Sequence, residues 1–260
     1  MKTKLFILAI TAATFTITSC NQDGCTDPAA INYDADAKDD DGSCTYPGVT
    51  LHFHSKMGTA DFAYDTEVTN WEGRKMKFTT AQVYLSNFFF HNDEGMTKID
   101  DSYILAKPGT MMYNLGEVPS AHYHGFGFSV GVDTVANHAD PASWPTDHAL
   151  SSNNPDHAFW SWNSGYIFIK VEGVMDSTAA MNGPANAPFI YHIGTDNLRK
   201  DLMFTDHQEI DGDVTMHVEF DFLELFNGID LRTDPDSHTM NNMPAAMTLS
   251  NNVPNAVTLE

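Results

Sequence analysis

Phe159-Trp160-Ser161-Trp162-Asn163-Ser164-Gly165 runs directly into Tyr166-Ile167-Phe168-Ile169-Lys170-Val171-Glu172-Gly173. The second half is dominated by aromatic and β-branched residues, which fit a pleated, buried surface. The stretch therefore predicts an aromatic loop feeding a buried strand over 166–171. Downstream, Phe189-Ile190-Tyr191-His192-Ile193-Gly194 reads as another strand, over 188–193, ending in glycine. Outward from this pair the signal recurs at 49–57, 76–91, 102–106, 123–132, 202–205 and 214–222. In the first of these, Leu51, Phe53 and Ser55 share one face and His52 and His54 the other. Helical periodicity is scarce, the nearest case being one short turn at 222–226. Strands without intervening helices predict an all-β fold, an antiparallel β-sandwich with long loops and little helix.

Two segments stand apart from that pattern. The connection from Asp133 to Ser164 is rich in Asn, Asp, His and Pro and carries Trp144 and Trp160. A loop of that length inside a compact domain is usually functional or disordered. The tail from Asp234 to Glu260 has a similar composition, with a methionine rhythm of Met240, Met243 and Met247 after His238.

The N-terminus sets the expected compartment. Lys2 and Lys4 precede an apolar run from Leu5 to Ile17, then Thr18-Ser19-Cys20. A basic start, a short apolar run and small residues describe a secretory signal peptide over 1–19. Cysteine directly after Ser19 resembles the lipobox of bacterial lipoproteins, which makes Cys20 the expected lipid-bearing residue. Three cysteines are odd for an exported protein. With Cys20 acylated, Cys25 and Cys44 remain to pair in an oxidising compartment. They would close an acidic spacer over 20–47, too small to bury a core of its own. Its carboxylates offer oxygens to Ca2+, but Asp34-x-Asp36 lacks the EF-hand glycine and closing glutamate. A solvated spacer is the expectation there, with calcium as the alternative. Residues 48–260 form the main domain.

Charge and motifs exclude several function classes. Thirty-five acidic residues against thirteen basic ones give a net charge of −22, which repels nucleic acid and anionic lipid surfaces. There is no nucleophile elbow, His-Glu-x-x-His, phosphate loop or Cys-x-x-Cys, and no enzymatic activity is expected. Histidine is the informative residue. His52-Phe53-His54 and His122-Tyr123-His124 each put two imidazoles on one strand face, a geometry suited to copper or zinc. His192 lies on an apolar strand, where an unpaired imidazole would be costly. Methionine thioethers near His238 and at Met111–Met112 would favour Cu+. The plain alternatives are histidine as polar filler on strand surfaces and methionine as packing.

Phe159-Trp160-Ser161-Trp162-Asn163-Ser164-Gly165-Tyr166 with the following Glu172-Gly173, and later His192-Ile193-Gly194, resembles the MbnP family of bacterial copper-binding proteins. That family carries Trp-x-Trp-x-x-Gly-Tyr, a strand ending near Glu-Gly, and a later His-[Ile/Leu]-Gly. Phe126-x-Phe128-Ser129-Val130-Gly131-Val132-Asp133 and Tyr84-Leu85-Ser86-Asn87 agree with it, so the resemblance spans roughly 49–233. It implies an exported β-sandwich holding one copper ion chiefly through histidines. In some members a partner di-haem peroxidase oxidises a tryptophan to kynurenine, whose new amine helps bind the metal. By position, Trp160 and Trp162 are candidates for that tryptophan, and His192 matches the late histidine. His52 and His54 fall where an early strand offers a ligand. His124, from the second His-x-His pair, and His238, from the methionine-bearing tail, are further candidates read from the residues alone. One branch of the family has four cysteines tied to its domain, whereas this sequence has none after Cys44.

The combined expectation is an exported, lipid-anchored protein of the bacterial envelope, at the outer membrane, that binds, stores or delivers copper. The alternative is a structural or adhesive surface lipoprotein with calcium-binding acidic loops.

Overall fold

The computed structural model describes residues 22–161 and 164–260. The chain divides between Thr45 and Tyr46 into two compact units. The expected signal peptide over 1–19, the expected lipid-bearing Cys20, and Trp162 lie outside the described residues.

In the first unit Cys25 and Cys44 form a disulfide. A two-residue parallel ladder pairs Asp23–Gly24 with Asp39–Asp40. Its acidic residues close their own turns: Asp34 accepts from the Asp36 N–H, Asp40 from Gly42 and Asp41 from Ser43. Short polar side chains that bond the backbone two residues on favour turns over strands, so this segment carries little regular structure.

The second unit is built from strands β1 (Gly48–Met57), β2 (Ala60–Asp61), β3 (Lys75–Asn92), β4 (Gly95–Lys98), β5 (Ile104–Ala106), β6 (Met112–Glu117) and β7 (Ala121–Val130). Then come β8 (Phe159–Ser161), β9 (Gly165–Met175), β10 (Ala187–Gly194), β11 (Lys200–Ile210), β12 (Val214–Asp221), β13 (Asp236–Ser237) and β14 (Val257–Leu259). The larger sheet runs β11-β7-β3-β9-β10-β13, with β4 and β5 added on β3 and β8 on β9. The smaller sheet runs β14-β12-β1-β2, with β6 on β1.

Alternation explains the sandwich. Val49, Leu51, Phe53 and Met57 of β1 are buried, with partly exposed residues between them. Aromatic residues that follow strands of the smaller sheet meet the larger one: Phe62 lies 5.4 Å from Phe78 of β3 and 5.3 Å from Phe222, and Phe78 lies 5.9 Å from Phe226. Truncating one such buried ring to alanine typically costs about 3–5 kcal/mol.

The all-β expectation holds, with two differences. The smaller sheet is mixed, because β1 and β12 pair in parallel, His52 opposite His217. The tail is a helix, α2 (Met243–Ala256), rather than a loop; a shorter helix, α1 (Thr134–Asn137), opens the long connection. Asn242 caps α2 by accepting from the Ala245 N–H, and proline sits in its first turn. The buried residues Ala245, Ala246, Leu249, Val253 and Ala256 recur at helical spacing, so the methionine rhythm belonged to a helix. Met240 and Met247 are exposed, while Met243 packs against the core.

Candidate metal centres

His192 sits on β10 between buried Tyr191 and Ile193, so its ring points away from the core. Across the strand its Nε2 lies 2.7 Å from Glu172 Oε1 on β9, where Lys170 and His192 are in register. The Glu172 carboxylate accepts the Nε2–H, which leaves the lone pair on Nδ1. Burial lowers the His192 pKa, with Glu172 pulling in the opposite direction, so the imidazole is neutral at pH 7. Burial works against ionisation of Glu172, but the His192 hydrogen bond and Lys170 hold its carboxyl below the usual glutamate range.

The His238 ring meets His192 edge to face, with centroids 4.7 Å apart. Its segment is held by Thr239, whose hydroxyl donates to the His192 carbonyl and accepts the Gly194 N–H, both at 3.0 Å. Thr239 is buried at φ 61 and Thr195 has φ 97. β-Branched residues rarely occupy positive φ, and each such position costs of order 1–3 kcal/mol unless its surroundings enforce it. Two of them flank this pair of imidazoles.

The long connection delivers Trp160 to the same place. Its described residues are held by several contacts: Asp133 caps α1, Trp144 stacks on His148 at 4.4 Å, and the Tyr84 and Tyr166 hydroxyls reach the carbonyls of Ala149 and Leu150. Asn137 is its clasp. It accepts the Tyr166 N–H and donates to Asp196, each at 2.8 Å. Gly165, at φ +70, passes so close that a Cβ there would lie 2.1 Å from the Asn137 side chain. The Trp160 ring then covers Gly194, where an added Cβ would approach it to 2.8 Å. Gly194 and His192 share one strand face, so the Trp160 ring lies on the same face as His192, two residues further along the strand.

His52 and His54 go elsewhere. They alternate with Leu51 and Phe53, which face the core, and so point outward from the smaller sheet. His52 Nδ1 lies 3.0 Å from His217 Nδ1, and Met112 is its register partner on β6. His54 sits among Asp61 at 3.1 Å, Glu219 at 3.6 Å and Glu260 at 4.0 Å. The expectation that one ion would join His192 to His52 or His54 therefore fails on geometry. The two groups face outward from opposite sheets with the core between, while metal–nitrogen bonds span only about 2 Å. His124 lies apart from both, beside His122 and His207. Sequence reasoning did not single out His217 or His207. Each is an isolated histidine whose neighbours are fixed by strand register alone.

The architecture is thus a β-sandwich with imidazole clusters on its outer faces. A family model described as MbnP matches residues 46–243, and the chain belongs to the MbnP family. Among solved structures the chain resembles MbnP from Methylosinus trichosporium, with a TM-score of 0.51 and 16% identity over 72% of this chain and 80% of that one. At that identity the likeness speaks for the fold alone. No curated protein matches the chain.

Proposed function

We propose that this is an exported, lipid-anchored copper-binding protein that stores or delivers copper and catalyses no reaction. The observation that carries this reading is the edge-to-face pairing of His192 with His238, on the strand whose Gly194, two residues on, is covered by the Trp160 ring; His192 and Trp160 lie in segments whose wording resembles the family's motifs. The donor set fits the metal. Two imidazoles, one kept neutral by burial and oriented by a carboxylate, are ligands that copper accepts readily. Two imidazoles leave coordination positions open, which suits a further ligand from the tryptophan segment. Trp160 or Trp162 is accordingly proposed as the residue a di-haem peroxidase partner would convert to kynurenine. His192 and His238 would hold copper, Glu172 would fix the His192 tautomer, and the Trp160 ring would shield the site from water.

Copper analysis of protein purified without chelator tests the reading; metal-free protein that also takes up no added copper would overturn it. The anchor is tested separately. A Cys20→Ala variant should be recovered soluble or unprocessed, and fractionation like wild type would contradict lipidation.

A further inference from the structure

The outer face of the larger sheet carries another imidazole group, distant from His192. His122 and His124 on β7 and His207 on β11 bring their ring nitrogens within 4.8 Å of one another. Their centroids stand 5.3, 5.7 and 5.1 Å apart. Strand register produces the cluster. His122 opposes Glu209, and the ladder then slips, so that Tyr123 faces Gln208 while Gly125 faces Thr205. The extra β11 residue at this bulge places His207 beside both β7 histidines.

Two carboxylates support the cluster. Glu209 Oε2 lies 3.1 Å from His122 Nδ1, and Asp93 Oδ1 lies 3.5 Å from His124 Nδ1. A carboxylate at Nδ1 selects the tautomer whose lone pair is on Nε2, an arrangement that orients metal-bound histidines. His91 adds a fourth ring 6.2 Å from His124, and glycine at 125 makes room for it, since a Cβ there would lie 2.5 Å from His91 Nε2. Core packing does not explain the grouping, because His122 and His207 are exposed.

We infer that His122, His124 and His207 form a second metal site, for a borderline divalent cation, Cu2+ or Zn2+. Three imidazoles are a donor set these ions share. The site is independent of the one proposed at His192. β3 and β9 separate β7 from β10. Along β3 the register points His91 and Gln82, which lead across to the two sites, are nine residues apart, at most roughly 30 Å at about 3.3 Å per residue and less across the bulge at Asn87.

The test is equilibrium dialysis of the whole protein against buffered free Zn2+, repeated with Cu2+. Wild type is compared with His122→Gln/His207→Gln and with His192→Ala/His238→Ala. The first variant alters two exposed side chains and should keep the wild-type melting midpoint. It should lose one equivalent of one or both metals, or bind it at least tenfold more weakly, while His192→Ala/His238→Ala retains that equivalent. Loss with only one metal identifies which cation the site takes. Unchanged stoichiometry and affinity for both metals in His122→Gln/His207→Gln would overturn the proposal. Loss of the same equivalent in both variants would overturn the independence of the sites.

Discussion

Thr239 and His192 are joined by a single hydroxyl: Thr239 Oγ1 donates to the His192 carbonyl and accepts the Gly194 N–H. That bond pair fixes the segment carrying His238 against the strand carrying His192. Thr239→Val keeps the side-chain shape and β-branching but takes the partner from the buried Gly194 N–H and the partly buried His192 carbonyl, at about 1–3 kcal/mol. The denaturation midpoint should fall accordingly. Copper affinity should also fall, by tenfold or more, because His238 is released from His192. A variant that loses stability but binds copper as tightly as wild type would show that the staple supports the fold only.

The clasp on the long connection predicts an acid response. Burial works against ionisation of Asp196, but hydrogen bonds from Asn137, His138 and Thr134 hold its carboxyl below the ordinary value of 3.8. A depressed folded pKa means that the stabilisation is complete above the unfolded value and is lost as pH falls through the lower folded one. Thermal stability should therefore decline below about pH 4, and Asp196→Asn should flatten that part of the profile. The measurement is the melting temperature from pH 6 down to pH 3 for both proteins. Parallel profiles would contradict the role assigned to Asp196.

The disulfide should matter locally. Cys25 and Cys44 are separated by 19 residues, and a loop of that size typically contributes about 3 kcal/mol. Among the described residues of this unit few apolar side chains are buried, Cys25 and Ala30 among them, so the bridge is the main constraint on residues 22–45. Cys25→Ser/Cys44→Ser should make residues 22–45 markedly more sensitive to limited proteolysis. Equal cleavage rates in wild type and variant would show that the turns suffice without the bridge.

Strand identity was legible because alternation is a local property: Leu51, Phe53, His52 and His54 announce their faces within one segment. Which strands become neighbours is not local. His52 and His217 meet across a parallel ladder spanning 165 positions, and nothing in either segment names the other. The same reason hid His207 beside His124. His192 and Trp160 were identifiable because they lie in segments that resemble the family, and His238 because it precedes the methionines of the tail; but alternation turns His192 and His52 outward from opposite sheets, so one ion does not join them. The α2 helix was missed because its buried face is built of alanine, serine and single aliphatics, which carry little hydrophobic signal.

Copper titration with a His192→Ala/His238→Ala variant, alongside His52→Ala/His54→Ala and wild type, tests the central claim most directly. The account predicts that the first variant loses one copper equivalent while the second retains it, since His52 and His54 face away from the other sheet. Copper stoichiometry and affinity unaltered by removal of His192 and His238 would contradict it.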